Sequence, residues 1–308
     1  MIKRALLILL TATLLLLCAC GDDKSESETE SIGGNTELLP NFGDDVESGA
    51  DGNGKLPQYA EVSTDAAKAA LALVSDSFDK DSTEELAEGL SIRTLSFGDA
   101  KAYILTADLG KYSIKVSTPY GLKPDGTMQS LNGQNELANK NGTKAVAAIA
   151  ANPTDRATCI PKGLIISGGE LIYNIKGNDG SVFFGLYKDG TPFACTYGEY
   201  GDIYRNKVTE MVSATHIIAK DGKVLEIAGT IYEEKTFRTG GGFSADGSNL
   251  CFVYGENIDI KQLSNLLIGS GCSVAVNFNN GEELGLLCGD TLYGANVSVG
   301  PAVLITEK

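Results

Sequence analysis

Arg238-Thr239, which runs into Gly240-Gly241-Gly242, and the stretch Asn277-Phe278-Asn279-Asn280-Gly281-Glu282-Glu283 bring reactive residue types to the ends of apolar runs. An arginine presents a planar fork of donors that fits a phosphate or carboxylate. A carboxylate moves a proton when its surroundings tune it. Amide side chains orient oxyanions, and glycine lets backbone come close to a ligand. Arg238 can therefore bind an anion bidentately, and Glu282 or Glu283 can act as acid or base. Arg238 serves equally well as a brace for the sheet, ion-paired to Glu282 or Glu283. Gly240 to Gly242 has no helix after it, so it reads as a bulge or bend before it reads as a phosphate cradle. His216 sits among apolar neighbours and reads as a core or edge histidine. Glu210, with Glu199 and Asp202, reads as a solvated loop face. Tyr197, Tyr200 and Tyr204 read as hairpin packing or the rim of a sugar site.

The surrounding pattern says what must position these groups. Asp259 and Gln262 have capping-box spacing, Leu263, Leu266 and Leu267 form an apolar face, and Gly269 and Gly271 close the helix. That helix feeds a buried strand, Cys272 to Phe278, which carries Asn277 to Glu283 out at its end. Asp-Gly pairs at 189–190, 221–222 and 246–247 and Gly168-Gly169 lie between apolar runs and read as hairpin turns. Strands are expected at Leu90–Phe97, Ala102–Leu109 and Lys111–Ser117, and a weak helix at Gln129–Asn139. The N-terminal side reads as helical: a capped helix over Ala66–Phe78 and a second short helix over Thr83–Glu88, which Gly89 ends. The fold class is α+β: a large mixed, mostly antiparallel sheet of hairpins with a few packed helices.

From Ala102 to Ile305 the order of these pieces resembles the phosphodiester glycosidase family. Ala145 to Asp155 resembles its strand followed by Ile-Asn and a position taken by an acid or Ser; Ile149 is kept and Asn152 takes the last position. Arg238-Thr239 resembles its Arg-Thr. Phe252 to Glu256 sits where the family has Asp-Gly-Arg, with Tyr254 for the Asp and Glu256 for the Arg. Asn277 to Glu283 sits on Asn-Leu-Asp-Gly-Gly-Gly-Ser, with only Asn277 and Gly281 unchanged and Asn279 for the Asp. The resemblance implies catalytic positions at Arg238, Asn277, Glu282 and Glu283. It implies substrate contacts at Asn152, Thr239, Asn279, Asn280 and Gly281. It calls for no cofactor and no metal. An asparagine at position 279 exchanges no proton near neutral pH, so the resemblance implies a scaffold whose reaction is impaired and whose ligand is an envelope glycan or glycosyl-phosphate. The alternative it implies is an active hydrolase of glycosyl phosphodiesters in envelope polymers, with Arg238 holding the phosphate, Asn277 orienting it, and Glu282 or Glu283 as acid or base.

The whole chain has 308 residues, 43% hydrophobic, and a net charge of -15. That excludes an electrostatic footprint for nucleic acid. Residues 1–19 read as a lipoprotein signal: Lys3 and Arg4 precede an apolar run, and Leu17-Cys18-Ala19-Cys20 resembles a lipobox. Cys20 is then the lipidated first residue of the mature chain and its membrane partner, on the extracytoplasmic face. Residues 20–56 are acidic, rich in Ser and Gly, and read as a disordered tether. Residues 57–308 form the domain, with 57–100 a helical extension and 101–308 the core. The five cysteines after residue 56 have no C-x-x-C pair and read as buried free thiols.

Overall fold

The computed structural model describes residues 58–124, 126–155, 157–175, 182–197, 207–227, 229–281 and 284–308. Its centre is an eight-stranded sheet. In spatial order the strands are β1 (Lys80–Ala87), β2 (Leu90–Phe97), β3 (Ala100–Asp108), β15 (Asn249–Ile258), β14 (Thr236–Phe243), β16 (Val274–Asn280), β12 (His216–Lys220) and β13 (Lys223–Val224). A five-stranded sheet runs β10 (Pro192–Thr196), β9 (Val182–Tyr187), β11 (Val208–Ala214), β7 (Gly163–Ser167) and β8 (Glu170–Ile175). Another runs β18 (Thr291–Gly294), β17 (Gly285–Cys288), β6 (Ala145–Ala150), β20 (Ala302–Glu307) and β4 (Tyr112–Ser117). A two-stranded pair joins β5 (Gln129–Ser130) to β19 (Ser298–Val299). The strand pairs are antiparallel, as the chain of hairpins requires.

Three longer helices pack on this frame: α1 (Thr64–Val74), α2 (Leu131–Lys140) and α3 (Ile260–Gly269). Alternation along the strands gives the central sheet two apolar faces. Ile92, Leu105, Phe252, Val276 and Phe278 point into the core shared with the five-stranded sheets. Leu95, Ile104, Val253 and Ala275 point the other way, against α1 and α3. The capping box of α3 is formed: Gln262 N donates to Asp259 Oδ1 at 2.8 Å and Asp259 N to Gln262 Oε1 at 3.1 Å. Its Leu263, Leu266 and Leu267 are fully buried.

The expected helix over Thr83–Glu88 is the edge strand β1, so the 57–100 segment contributes two strands of the central sheet as well as one helix. Helical spacing there misleads because every residue of β1 is exposed and neither face carries an apolar signal. The apolar run at 145–151 is strand β6, and Cys195, Cys251, Cys272 and Cys288 are buried free thiols, with Cys159 half-buried.

Glu210 departs from the solvated role expected of it. It is 5% exposed on β11, where Oε2 accepts from Val116 N at 2.7 Å and Oε1 from Gly168 N at 2.9 Å. The carboxylate thereby ties β11 to β4 and to the β7–β8 turn. Burial raises its pKa above the ordinary 4.5, against the amide bonds and Lys115, which lower it. A raised folded pKa means that the native state holds this proton longer than the unfolded chain does. The stability it confers is therefore complete below pH 4.5 and declines as pH climbs through the folded pKa. Glu210→Gln is expected to flatten this decline. A denaturant titration series from pH 4 upward measures it, and an unchanged slope refutes the assignment.

Candidate functional site

The described residues marked out by chemistry lie on β14, β15, β16 and its end, and the loop after β6, and the register of the central sheet sorts those on the strands into two sets. Thr239 pairs with Asn279 on one side and with Tyr254 on the other. Tyr254 pairs with Tyr103, Tyr103 with Thr94, and Thr94 with Ser82. Directly paired residues share a face, so Ser82, Thr94, Tyr103, Tyr254, Thr239 and Asn279 make one rung across six strands. Arg238 and Asn277 belong to the other face, toward α3. Arg238 pairs with Gly255 and Asn277 with Gly240, and a Cβ at these two glycines would meet Ile258 and Leu263, members of the helix-side core.

Arg238 is wholly buried. Its Nε donates to Ile258 O at 3.0 Å and Nη2 to Glu234 O at 2.8 Å. Burial lowers the guanidinium pKa, with Asp259, Tyr232 and Glu234 opposing that shift. The fork thus donates to backbone carbonyls of two neighbouring segments, as a brace does. Glu282 and Glu283 lie outside the described residues. Asn277 is also wholly buried; Nδ2 donates to Thr215 Oγ1 at 2.7 Å, and Oδ1 has no hydrogen-bond partner. Asn152 is a third interior residue. It stands at φ 60°, where Asn is among the few tolerated side chains. Its Nδ2 donates to the carbonyls of Pro153 and Lys162, both at 3.0 Å, and Oδ1 accepts from Ser213 N at 2.9 Å. It pins the loop after β6 to β11. Among the described residues, these three side chains bond within the fold and line neither of the hollows described below.

At the end of β16, Asn279, Asn280 and Gly281 are half-buried. Asn279 Oδ1 accepts from Asn280 N at 2.9 Å. Asn279, Asn280, Thr154, Leu284, Val299 and Gly300 line a hollow of about 30 Å3, room for roughly one water. Thr239, paired with Asn279, is buried, and its Oγ1 has no hydrogen-bond partner among the described residues. The space next to Thr239 holds an aromatic row. Tyr254 stacks on Tyr103 at 6.1 Å and on Phe237 at 6.4 Å, and Tyr103 packs on Tyr293 at 4.4 Å. Burial, followed by the charge of Glu256, drives the Tyr254 phenol far above its ordinary range, so it stays protonated. Where the family motif has an acid, this chain has a buried neutral ring.

Beyond Tyr103 the rung opens. Ser82, Thr94, Ser96, Lys80, Lys101 and the Tyr103–Tyr293 pair border a shelf of about 540 Å3 on the same face. Sequence reasoning missed these residues. The signal was present on β2, where Leu90 and Ile92 are core residues and the next two positions of that face, Thr94 and Ser96, turn polar. Of the other expected features, His216 stacks edge-on against Tyr232 at 4.6 Å, and Tyr197 is 41% exposed. Tyr200, Tyr204, Glu199 and Asp202 lie outside the described residues, as does Cys20.

Zebrafish N-acetylglucosamine-1-phosphodiester alpha-N-acetylglucosaminidase, solved as a catalytic domain auto-inhibited by its pro-peptide, shares this fold. The TM-score is 0.57 at 16% identity, over 74% of this chain and 82% of that one. A hypothetical protein from Synechocystis aligns with a TM-score of 0.53 at 10% identity, over 74% of this chain and 64% of that one. No curated protein matches the sequence. The family model for phosphodiester glycosidase matches residues 140–303, more than half of the 308. The span takes in β6, the Arg238 strand and the Asn277–Asn280 strand end, and the chain belongs to the phosphodiester glycosidase family.

Proposed function

We propose that this protein is a catalytically impaired phosphodiester glycosidase-like domain that keeps a groove for envelope glycan or glycosyl-phosphate, held at the extracytoplasmic face of the membrane by lipid on Cys20. The observation that carries the reading is the state of the inherited pocket. Its strand ends hold Asn279 and Asn280 around a hollow of about 30 Å3, with the aromatic row of Tyr254, Tyr103 and Phe237 alongside. Cleaving a phosphodiester takes a group that exchanges a proton and an electrostatic partner for the phosphate. Asn279 and the protonated Tyr254 supply neither, and the Arg238 guanidinium is engaged with the Ile258 and Glu234 carbonyls. Anchoring is supported by the basic n-region, the apolar run and the Leu17-Cys18-Ala19-Cys20 sequence.

Protein purified from its native membrane tests both parts. The mature N-terminal peptide is expected to carry a diacylglyceryl modification on Cys20, and an unmodified N-terminus refutes the anchor. With an aryl or nucleotide-sugar phosphodiester, the release rate is expected to equal that of buffer. Sustained turnover that disappears in Glu282→Gln overturns the impaired reading in favour of an active hydrolase.

A further inference from the structure

We propose that the shelf beside the inherited pocket is a binding site for an uncharged glycan chain, with the Tyr103–Tyr293 pair as its platform. The inference rests on the glycan-handling part of the reading above and is independent of whether the protein turns over.

Its ground is the rung structure of the central sheet. Ser82, Thr94 and Tyr103 continue the line of Tyr254, Thr239 and Asn279, so the shelf and the hollow are two ends of one cross-strand track. The next rung on this face is Lys80, Ser96, Lys101 and Glu256. The five-stranded sheet covers the track up to Tyr293 and no further. Among the described residues no layer covers the strands past that point, and every residue of β1 is exposed.

The lining matches the two faces of a pyranose. A sugar ring has a C–H face that packs on an aromatic plane and an edge of hydroxyls that are both donors and acceptors. Tyr103 and Tyr293 pack against each other at 4.4 Å and 33°, and the ring surface that each leaves uncovered borders the shelf. Hydroxyls of Ser82, Thr94 and Ser96 supply partners of both kinds along the floor. Lys80 and Lys101 stand near Glu84 and Glu256, two cations against two anions, so the shelf sets up no net field to select a charged ligand. At about 540 Å3 it falls in the range of ligand sites and admits more than one sugar unit. Burial raises both tyrosine pKa values, with Glu256 acting further on Tyr103; the rings therefore remain neutral hydroxyl donors.

Calorimetry of the full chain with hexasaccharides of glucose and of N-acetylglucosamine, at low and high salt, tests the site. A polyuronate of matched length serves as the charged competitor. Binding of a neutral chain is expected, insensitive to salt, and weakened about tenfold in Tyr103→Ala or Tyr293→Ala. Tyr103 also packs on Tyr254, so Ser82→Trp, at an exposed edge position, is the second variant. It fills the shelf without touching the core and is expected to abolish binding. The proposal fails if no neutral chain binds at millimolar concentration, or if binding survives Ser82→Trp. It fails if binding is lost only in Asn279→Ala, which would place the ligand in the hollow. Preference for the polyuronate with steep salt dependence also overturns it, as does a solution dimer whose contact covers the shelf. Turnover in the phosphodiester assay leaves this test intact, because binding at the shelf is read separately.

Discussion

Arg238→Ala is expected to destabilise the protein by about 3–5 kcal/mol, where a surface arginine costs less than about 1 kcal/mol. The guanidinium is wholly buried, and it donates to the carbonyls of Ile258 and Glu234. Truncation strips donors from both carbonyls and leaves a void at the junction of β14, β15 and the start of α3. Hydrogen bonds from a charged donor contribute about 1.5–3 kcal/mol each, and an acceptor left buried without a partner costs a similar amount. Lysine does not rescue the loss, because one ammonium has no planar fork to reach both carbonyls. Equilibrium denaturation in urea measures the effect as a drop in midpoint at constant slope. An Arg238→Ala protein of unchanged stability but reduced affinity for sugar phosphate would overturn the brace and return Arg238 to the site.

That result bears on why motif spacing alone assembles the wrong set. Arg238 and Thr239 are adjacent, Asn277 and Asn279 lie two apart with a register shift between them, and a motif treats all four as colleagues. A strand sends neighbours to opposite faces. Arg238 and Asn277 go to the helix side, whereas Thr239 and Asn279 go to the side of the hollow. The register shift between Thr239 and Gly240 keeps both assignments consistent across β14 and β16. Sequence can locate the motif strands but gives no register, and register decides which polar residues meet.

The elements themselves were more legible where a local signal had a single cause. The capping box of α3, the hairpins at Gly168-Gly169, Asp189-Gly190 and Asp221-Gly222, and strand β2 appear where their turn and cap residues put them. The edge strand β1 was illegible because Lys80–Ala87 is exposed on both faces and so carries neither a period of two nor one of 3.6. Glu210 was illegible for the opposite reason. A carboxylate between Thr209 and Met211 looks solvated, and only the fold shows the amides of Val116 and Gly168 converging on it. Tyr254 combines the two difficulties. Its substitution for an acid is visible in the sequence, but the aromatic row that takes it up draws on Tyr103, Tyr293 and Phe237 from three other strands.

Gly242→Ala and Gly240→Ala are each expected to cost about 1–3 kcal/mol, and larger side chains more. Neither glycine has positive φ, so chain entropy is not the reason for them. At position 242 a Cβ would stand 2.6 Å from Val274 O and 2.9 Å from Cys272 Sγ; at 240, 2.8 Å from Val276 O. Those carbonyls belong to the neighbouring strand β16 and cannot swing aside as a side-chain tip can. At 241 a Cβ would stand 2.9 Å from the rings of Phe252 and Phe278. The three glycines therefore let β14 sit close between its neighbours and the layers above and below, and the bend read into them reduces to the single register shift at Thr239–Gly240. The comparison is Gly98→Ala, at a turn with φ +58° and nothing within 4 Å of its Cβ, where only the left-handed backbone opposes the change and about 1 kcal/mol is expected. Thermal midpoints of the three variants separate the causes. Were Gly240→Ala and Gly242→Ala to melt with the parent protein and lose affinity for a sugar phosphate instead, the glycines would be a ligand cradle and the packing account would fall.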